Sequence, residues 1–276
     1  MLSYVEVILD NISNNEEALA SFENVTVGFF VTCIVDLLRP SVGFAALHLL
    51  KAAGFHVEVP ASQACCGQPA YNSGNESSAI DIARQVISVF ENFDYVVVPS
   101  GSCAGMLRKH YPRLFASDFI WLDRARNLAS KTYELNEFLV DVARIDNLSS
   151  TVSKTCTYHD SCSGLNELGI HKQPRALLTK LEGLELKEME EADECCGFGG
   201  LFCVKYPDIS TRIVERKVNN ALSTGADMLI GGDLGCLMNI AGYLRRMGSS
   251  MKVFHVAEVL AGMINDPSIG EKEEHA

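Results

Sequence analysis

Eight of the ten cysteines in this 276-residue chain follow one pattern written twice. Cys33, the doublet Cys65–Cys66 and Cys103 return as Cys162, the doublet Cys195–Cys196 and Cys236, at offsets of 129, 130 and 133 residues. Glycine follows each doublet: Gly67 in "ACCGQP" and Gly197 in "ECCGFGG". Order and spacing kept at three points identify a tandem duplication, so whatever one half folds into, the other folds into as well.

The flanking segments repeat in the same order. In the first half the apolar run "VTVGFFV" ends just before Cys33, and "VGFAALHLLKAAG" has helical periodicity with a glycine stop. "HVEVP" reads as a short strand ahead of the doublet, "ESSAIDIARQVISVFEN" as an amphipathic helix, and "YVVVP" as a buried strand that delivers Cys103. The second half answers with "KTCTYHDSC", "QPRALLTKL", "LELKEM", "DISTRIVERKVNNALSTG" and "DMLIGGD". Strands alternating with helices predict an α/β fold: two tandem, duplicated βαβ-type (Rossmann-like) domains with parallel sheets. The expected divisions are an N-terminal extension over 1–24, domains over 25–148 and 149–266, and an acidic tail over 267–276. In such sheets ligands bind beyond the C-terminal strand ends. The cysteines fall at or after those ends, so each half should gather its four thiols into one site.

Net charge of −12, from 35 acidic and 23 basic side chains, disfavours nucleic-acid binding, which needs clustered Lys and Arg. No basic start followed by an apolar run marks a signal peptide. The most apolar early stretch, residues 25–38, contains Asp36 and is shorter than the ~20 residues of a membrane helix. Ten cysteines in such a chain suggest the cytoplasm, where clustered thiols hold metal or do redox chemistry.

Adjacent cysteines are strained as a mutual disulfide, and structural zinc sites favour cysteines two to four residues apart. Neighbouring thiolates suit a multi-iron cluster, because each reaches a different iron. Cys33, Cys65, Cys66 and Cys103 are the expected ligands in one half, and Cys162, Cys195, Cys196 and Cys236 in the other. The competing reading is buried structural thiols. Gly67 and Gly197 let the backbone close over such a group and offer N–H donors to its sulfurs.

Cys, a long gap, Cys-Cys-Gly, a second long gap and a final Cys motif resembles the cysteine-rich CCG-domain family. That family includes a cysteine-rich component of heterodisulfide reductase and the iron–sulfur subunits of glycolate oxidase and anaerobic glycerol-3-phosphate dehydrogenase. The resemblance runs from about Val25 to Met263. "PSGSCAGM", "YHDSCSGLNELGI", "CCGFGGLF", "VKYPDIS" and "GGDLGCLMNI" are most similar to family members that serve three-component L-lactate oxidation systems. It implies two iron–sulfur clusters, one [4Fe–4S] per half, in an electron-transfer subunit. Its partners would include a second iron–sulfur protein, and any hydride chemistry would lie on a partner subunit. Two alternatives stand beside it: a redox enzyme with cluster-based disulfide chemistry, like heterodisulfide reductase or thiol-driven fumarate reductase, and a non-redox zinc scaffold.

The family pattern ends in Cys-x-x-Cys, whereas this chain has Ser100 before Cys103 and Asp233 before Cys236. Each oxygen side chain is an extra ligand, a hydrogen-bonding neighbour of the cluster sulfurs, or a cap on the following helix. Cys156 reads as core, and Cys203 as packing rather than ligation. His159 is either a donor to the cluster or a turn-stabilising histidine, and Asp160 a cap. "CGFGGLF" fails the G-x-G-x-x-G spacing, so no nucleotide loop is expected.

Overall fold

The structure is a computed structural model that describes residues 25–146, 148 and 150–271. The extension read over 1–24 and the end of the tail, 272–276, lie outside the described residues.

The first half runs β1 (Thr26–Phe29), α1 (Cys33–Leu38), α2 (Pro40–Ala52), β2 (His56–Glu58), α3 (Gln68–Asn72), α4 (Glu76–Phe90) and β3 (Tyr95–Val98). It continues with α5 (Gly101–Gly105), α6 (Phe119–Lys131), β4 (Thr132–Glu134) and α7 (Leu135–Glu137). The second half runs β5 (Thr151–His159), α8 (Lys172–Leu178), β6 (Glu182–Leu186), α9 (Phe202–Lys205) and α10 (Pro207–Ser223). It ends with β7 (Met228–Gly231), α11 (Leu234–Arg246), β8 (Lys252–His255) and α12 (Val256–Leu260).

Each half is a four-stranded, all-parallel sheet, in the order β2-β1-β3-β4 and β6-β5-β7-β8. The two orders are the same topology, as the duplication requires. In both, the chain leaves the first strand to one side and the third strand to the other. The first and third strands therefore flank a switch point, the crevice where open α/β sheets bind ligands. Helices cover the faces, so the central strands are continuously apolar rather than alternating: Val96, Val97 and Val98 in β3 are all fully buried, as are Leu229 and Ile230 in β7.

The edge strands β4 and β8 were not legible in the sequence. β4 begins where α6 ends, at Thr132, with no glycine or proline to break the helical pattern. The helix after β4, α7, starts at Leu135, with Glu134 as its cap.

The halves are not separately cored. One apolar cluster runs from Val27, Phe29 and Phe138 to Val152, Leu177, Leu229 and Val256. The exchange is reciprocal: α12 packs on α2, and α7 packs on α8. Glu258, on α12, is fully buried and accepts from Arg39 Nε at 2.8 Å and Ser41 Oγ at 2.7 Å. A second cluster, with Phe30, Phe90, Leu107 and Tyr111, lies in the first half. Residues at the start of the expected tail are held, since Ile269 N–H donates to Val253 O at 2.9 Å and Ser268 is buried. No helix among the described residues is long and apolar enough to cross a membrane.

Candidate metal centres

In the first half, Cys33 opens α1 just after β1, Cys65 and Cys66 lie in the loop after β2, and Cys103 sits in α5 just after β3. The four thiols converge although the outer two are separated by 70 residues. Cys33 and Cys65 sulfurs are 3.6 Å apart, and the Cys66 thiol donates to Cys65 and to Cys103. The second half repeats the chain of contacts: Cys162 to Cys195 at 3.8 Å, then Cys195 with Cys196, and Cys196 with Cys236. Cys66, Cys103, Cys196 and Cys236 are buried, whereas Cys195 is exposed.

The glycines act as the spacing suggested. Gly67 and Gly197 both have a left-handed backbone, φ +80° and +78°. A Cβ on Gly197 would stand 2.6 Å from Ser210 O, so only glycine fits there. The turn aims backbone donors at sulfur: Gly197 N–H to Cys195 Sγ at 3.3 Å, and Phe198 N–H to Cys196 Sγ at 3.5 Å. Gly67 and Cys66 N–H groups do the same for Cys65. Cys65, accepting from Cys33 and Cys66, and Cys195, accepting from Cys162 and Cys196, are held well below the usual thiol range. Their donors Cys33, Cys66, Cys162 and Cys196 are pushed up, each by its thiol partner first and by burial next.

Ser100 and Asp233 meet each other. Ser100 Oγ donates to Asp233 Oδ2 at 3.0 Å, and Ser102 N–H donates to the same oxygen at 3.0 Å. Ser100 Oγ also accepts from Cys103 N–H at 3.3 Å. Asp233 therefore serves the N-terminus of α5 in the other half, while making no side-chain cap on its own helix α11. Both residues are buried.

His159 ends β5, is fully buried, and has no hydrogen-bond partner at either ring nitrogen among the described residues. A ring nitrogen lies within 4.8 Å of the sulfurs of Cys196 and Cys236. Burial first, and then nearby Lys217, holds its imidazole down to about 3, so the ring is neutral. Asp160 is paired with Arg175 at 2.8 Å rather than capping a turn. Cys156 is core, and burial raises its thiol to about 12. Cys203 donates to Gly200 O at 3.3 Å.

Three contributors escaped the sequence reading. Tyr111 hydroxyl donates to Cys66 O at 2.9 Å, and Asn239 Nδ2 donates to Cys196 O at 2.8 Å. Lys217, fully buried on α10, donates to Ala192 O at 2.7 Å. Lys217 had a signal: it shares the helix face of Val214, Val218 and Ala221, where a charge is out of place. A cavity of about 660 Å³ between α2 and α11 is lined by none of the patterned cysteines.

The donor set fits an iron–sulfur group: four convergent thiols per half, adjacent pairs that can address different irons, and backbone N–H groups directed at sulfur. The 3.6 and 3.8 Å pairs are also close to the about 3.8 Å that separates two thiolates on one tetrahedral zinc with ~2.3 Å bonds.

The cysteine-rich domain family, CCG, matches the chain twice, over residues 27–108 and 156–241. Lactate utilization protein A of Bacillus cytotoxicus is 45% identical over 234 residues, covering 85% of this chain and 98% of that protein. Its counterpart in Bacillus thuringiensis is 44% identical with the same coverage. Among solved structures, a hypothetical protein from Helicobacter pylori matches 91% of this chain with a TM-score of 0.63 at 12% identity. This chain spans half of that protein, and the likeness concerns the fold.

Proposed function

The chain belongs to the cysteine-rich CCG-domain family, as a relative of lactate utilization protein A, and from that membership we propose that it is an iron–sulfur electron-transfer subunit of a multi-component L-lactate oxidation system that yields pyruvate. One observation carries the reading: two sets of four thiols, each built around an adjacent pair, converge at the switch points of two duplicated sheets. Cys33, Cys65, Cys66 and Cys103 would hold one [4Fe–4S] group, and Cys162, Cys195, Cys196 and Cys236 the other. Such a group supplies one-electron transfer, and two in one chain form a relay. The protein's own residues close glycine turns over the sulfurs, direct N–H groups at them, and bury the inner thiols. Hydride removal from lactate is assigned to a partner subunit, and a second iron–sulfur protein is the expected neighbour. All ten cysteines are unpaired, which supports a reducing, cytoplasmic setting.

The sulfur spacings favour one competing reading, a zinc scaffold. Anaerobic purification with iron, zinc and acid-labile sulfide analysis decides between them. Iron with equal sulfide, and half of each lost in Cys66→Ser and in Cys196→Ser, is the expected result. Zinc without sulfide would sink the redox reading. Turnover of a disulfide by the isolated, cluster-loaded chain would replace electron relay with cluster-based disulfide chemistry.

A further inference from the structure

The two centres have the same sulfurs and different surroundings. His159 stands three residues before Cys162; three residues before Cys33 stands Phe30. Both are fully buried where the first strand of their sheet runs out, Phe30 just after β1 and His159 as the last residue of β5, so the fold puts an imidazole where the other half has a phenyl ring. A second pair differs in the same sense. The turn glycines register α10 on α4, with Ser210 O under Gly197 where Ala79 O lies under Gly67. On that register the position of Lys217 is taken by Val86, and both are fully buried. Lys217 interacts electrostatically with Cys196 and Cys236.

A buried imidazole with neither nitrogen satisfied is costly unless a group that the bare chain lacks bonds it. The nitrogen is within 4.8 Å of two thiols yet bonded to neither, which leaves its partner to be the group those thiols hold. We propose that His159 is the nitrogen donor of the second centre: its ring N–H bonds a sulfur of the iron–sulfur group held by Cys162, Cys195, Cys196 and Cys236, and makes that group the more easily reduced of the two. The inference rests on the iron–sulfur reading above. A donor to sulfur and a nearby buried amine both stabilise the added negative charge of the reduced form, so they raise its reduction potential. Electrons then collect at the second centre, and the first, among Phe30, Val86 and Tyr111, is the low-potential member.

The test is an EPR-monitored redox titration of the full chain loaded anaerobically, with iron and sulfide counted in every sample. The wild-type protein should show two groups of different potential, and Cys196→Ser identifies the higher by removing it. His159→Phe, which copies the first half, should keep full iron and sulfide while lowering that potential alone. His159→Gln, which retains an N–H, should lower it less. Phe30→His should raise the other potential, and it reads out independently if His159→Phe fails to fold. Unchanged potentials, equal shifts in both groups, or loss of iron in His159→Phe would overturn the inference, the last by making His159 a ligand. Wild-type protein without sulfide would overturn the underlying reading before any variant is made.

Discussion

Phe30 and His159 lie at the C-terminal end of the first strand in two copies of one fold, Phe30 just beyond it, and the difference between them separates what duplication conserved from what it released. Topology, sulfur order and the glycine turn are common to both halves. The supports behind the sulfurs are not. Cys66 O is held by a tyrosine and Cys196 O by an asparagine. The helix after the edge strand is capped by Glu134 in one half and His255 in the other, each in a reciprocal capping box. The four-cysteine set and its glycine turn are the repeated pattern. The buried side chains around it need only fill volume and satisfy polar atoms, and they were free to make the two centres unlike.

The helices that cross between halves give the largest expected contrast. Glu258→Ala should cost about 3–5 kcal/mol in urea denaturation, because it strands the Arg39 guanidinium in the interface. The corresponding Glu137→Ala, whose partner Arg108 is more exposed, should cost about 1–2 kcal/mol. Equal losses would break the distinction.

The two caps should pull stability in opposite directions with pH. Burial raises Glu134 to about 8, above its ordinary 4.5. Its contribution is therefore full below pH 4.5 and is lost as pH rises through 8, a change on the order of 5 kcal/mol. Burial lowers His255 below its ordinary 6.5, so its contribution is present above 6.5 and is lost on acidification. Denaturation midpoints against pH should lose their alkaline slope in Glu134→Gln and their acid slope in His255→Gln.

The glycine turns should differ by a smaller margin. Gly197→Ala meets a backbone oxygen and should cost about 3 kcal/mol, with loss of metal from the second centre. Gly67→Ala meets only the Ile82 side chain at 3.2 Å and should cost about 1–2 kcal/mol. Smallest of all, Ser100→Ala should cost about 1 kcal/mol through the lost cap, with iron content unchanged in both centres. Loss of iron would make Ser100 a ligand.

Much of this was legible in advance. The strand–helix order, the parallel sheets and the eight cysteines followed from periodicity and from the repeat, because each is a local or translational pattern. β4 and β8 were hidden, since three- and four-residue edge strands adjoining helices carry too few residues to show a period. His159 was visible only as a histidine near a cysteine; its two unsatisfied nitrogens are a property of the packed interior.

Ser100 and Asp233 show the division most sharply. Sequence alone established that each half has four cysteines and an oxygen side chain where the family pattern has another cysteine, and that the two halves repeat. Only the folded chain decided that these oxygens meet at 3.0 Å across 133 residues, one half capping a helix of the other. A repeat writes its own pattern in the chain, because the same local forces act on both copies. A contact between the copies depends on how two finished sheets dock, and nothing in the spacing of either half records it.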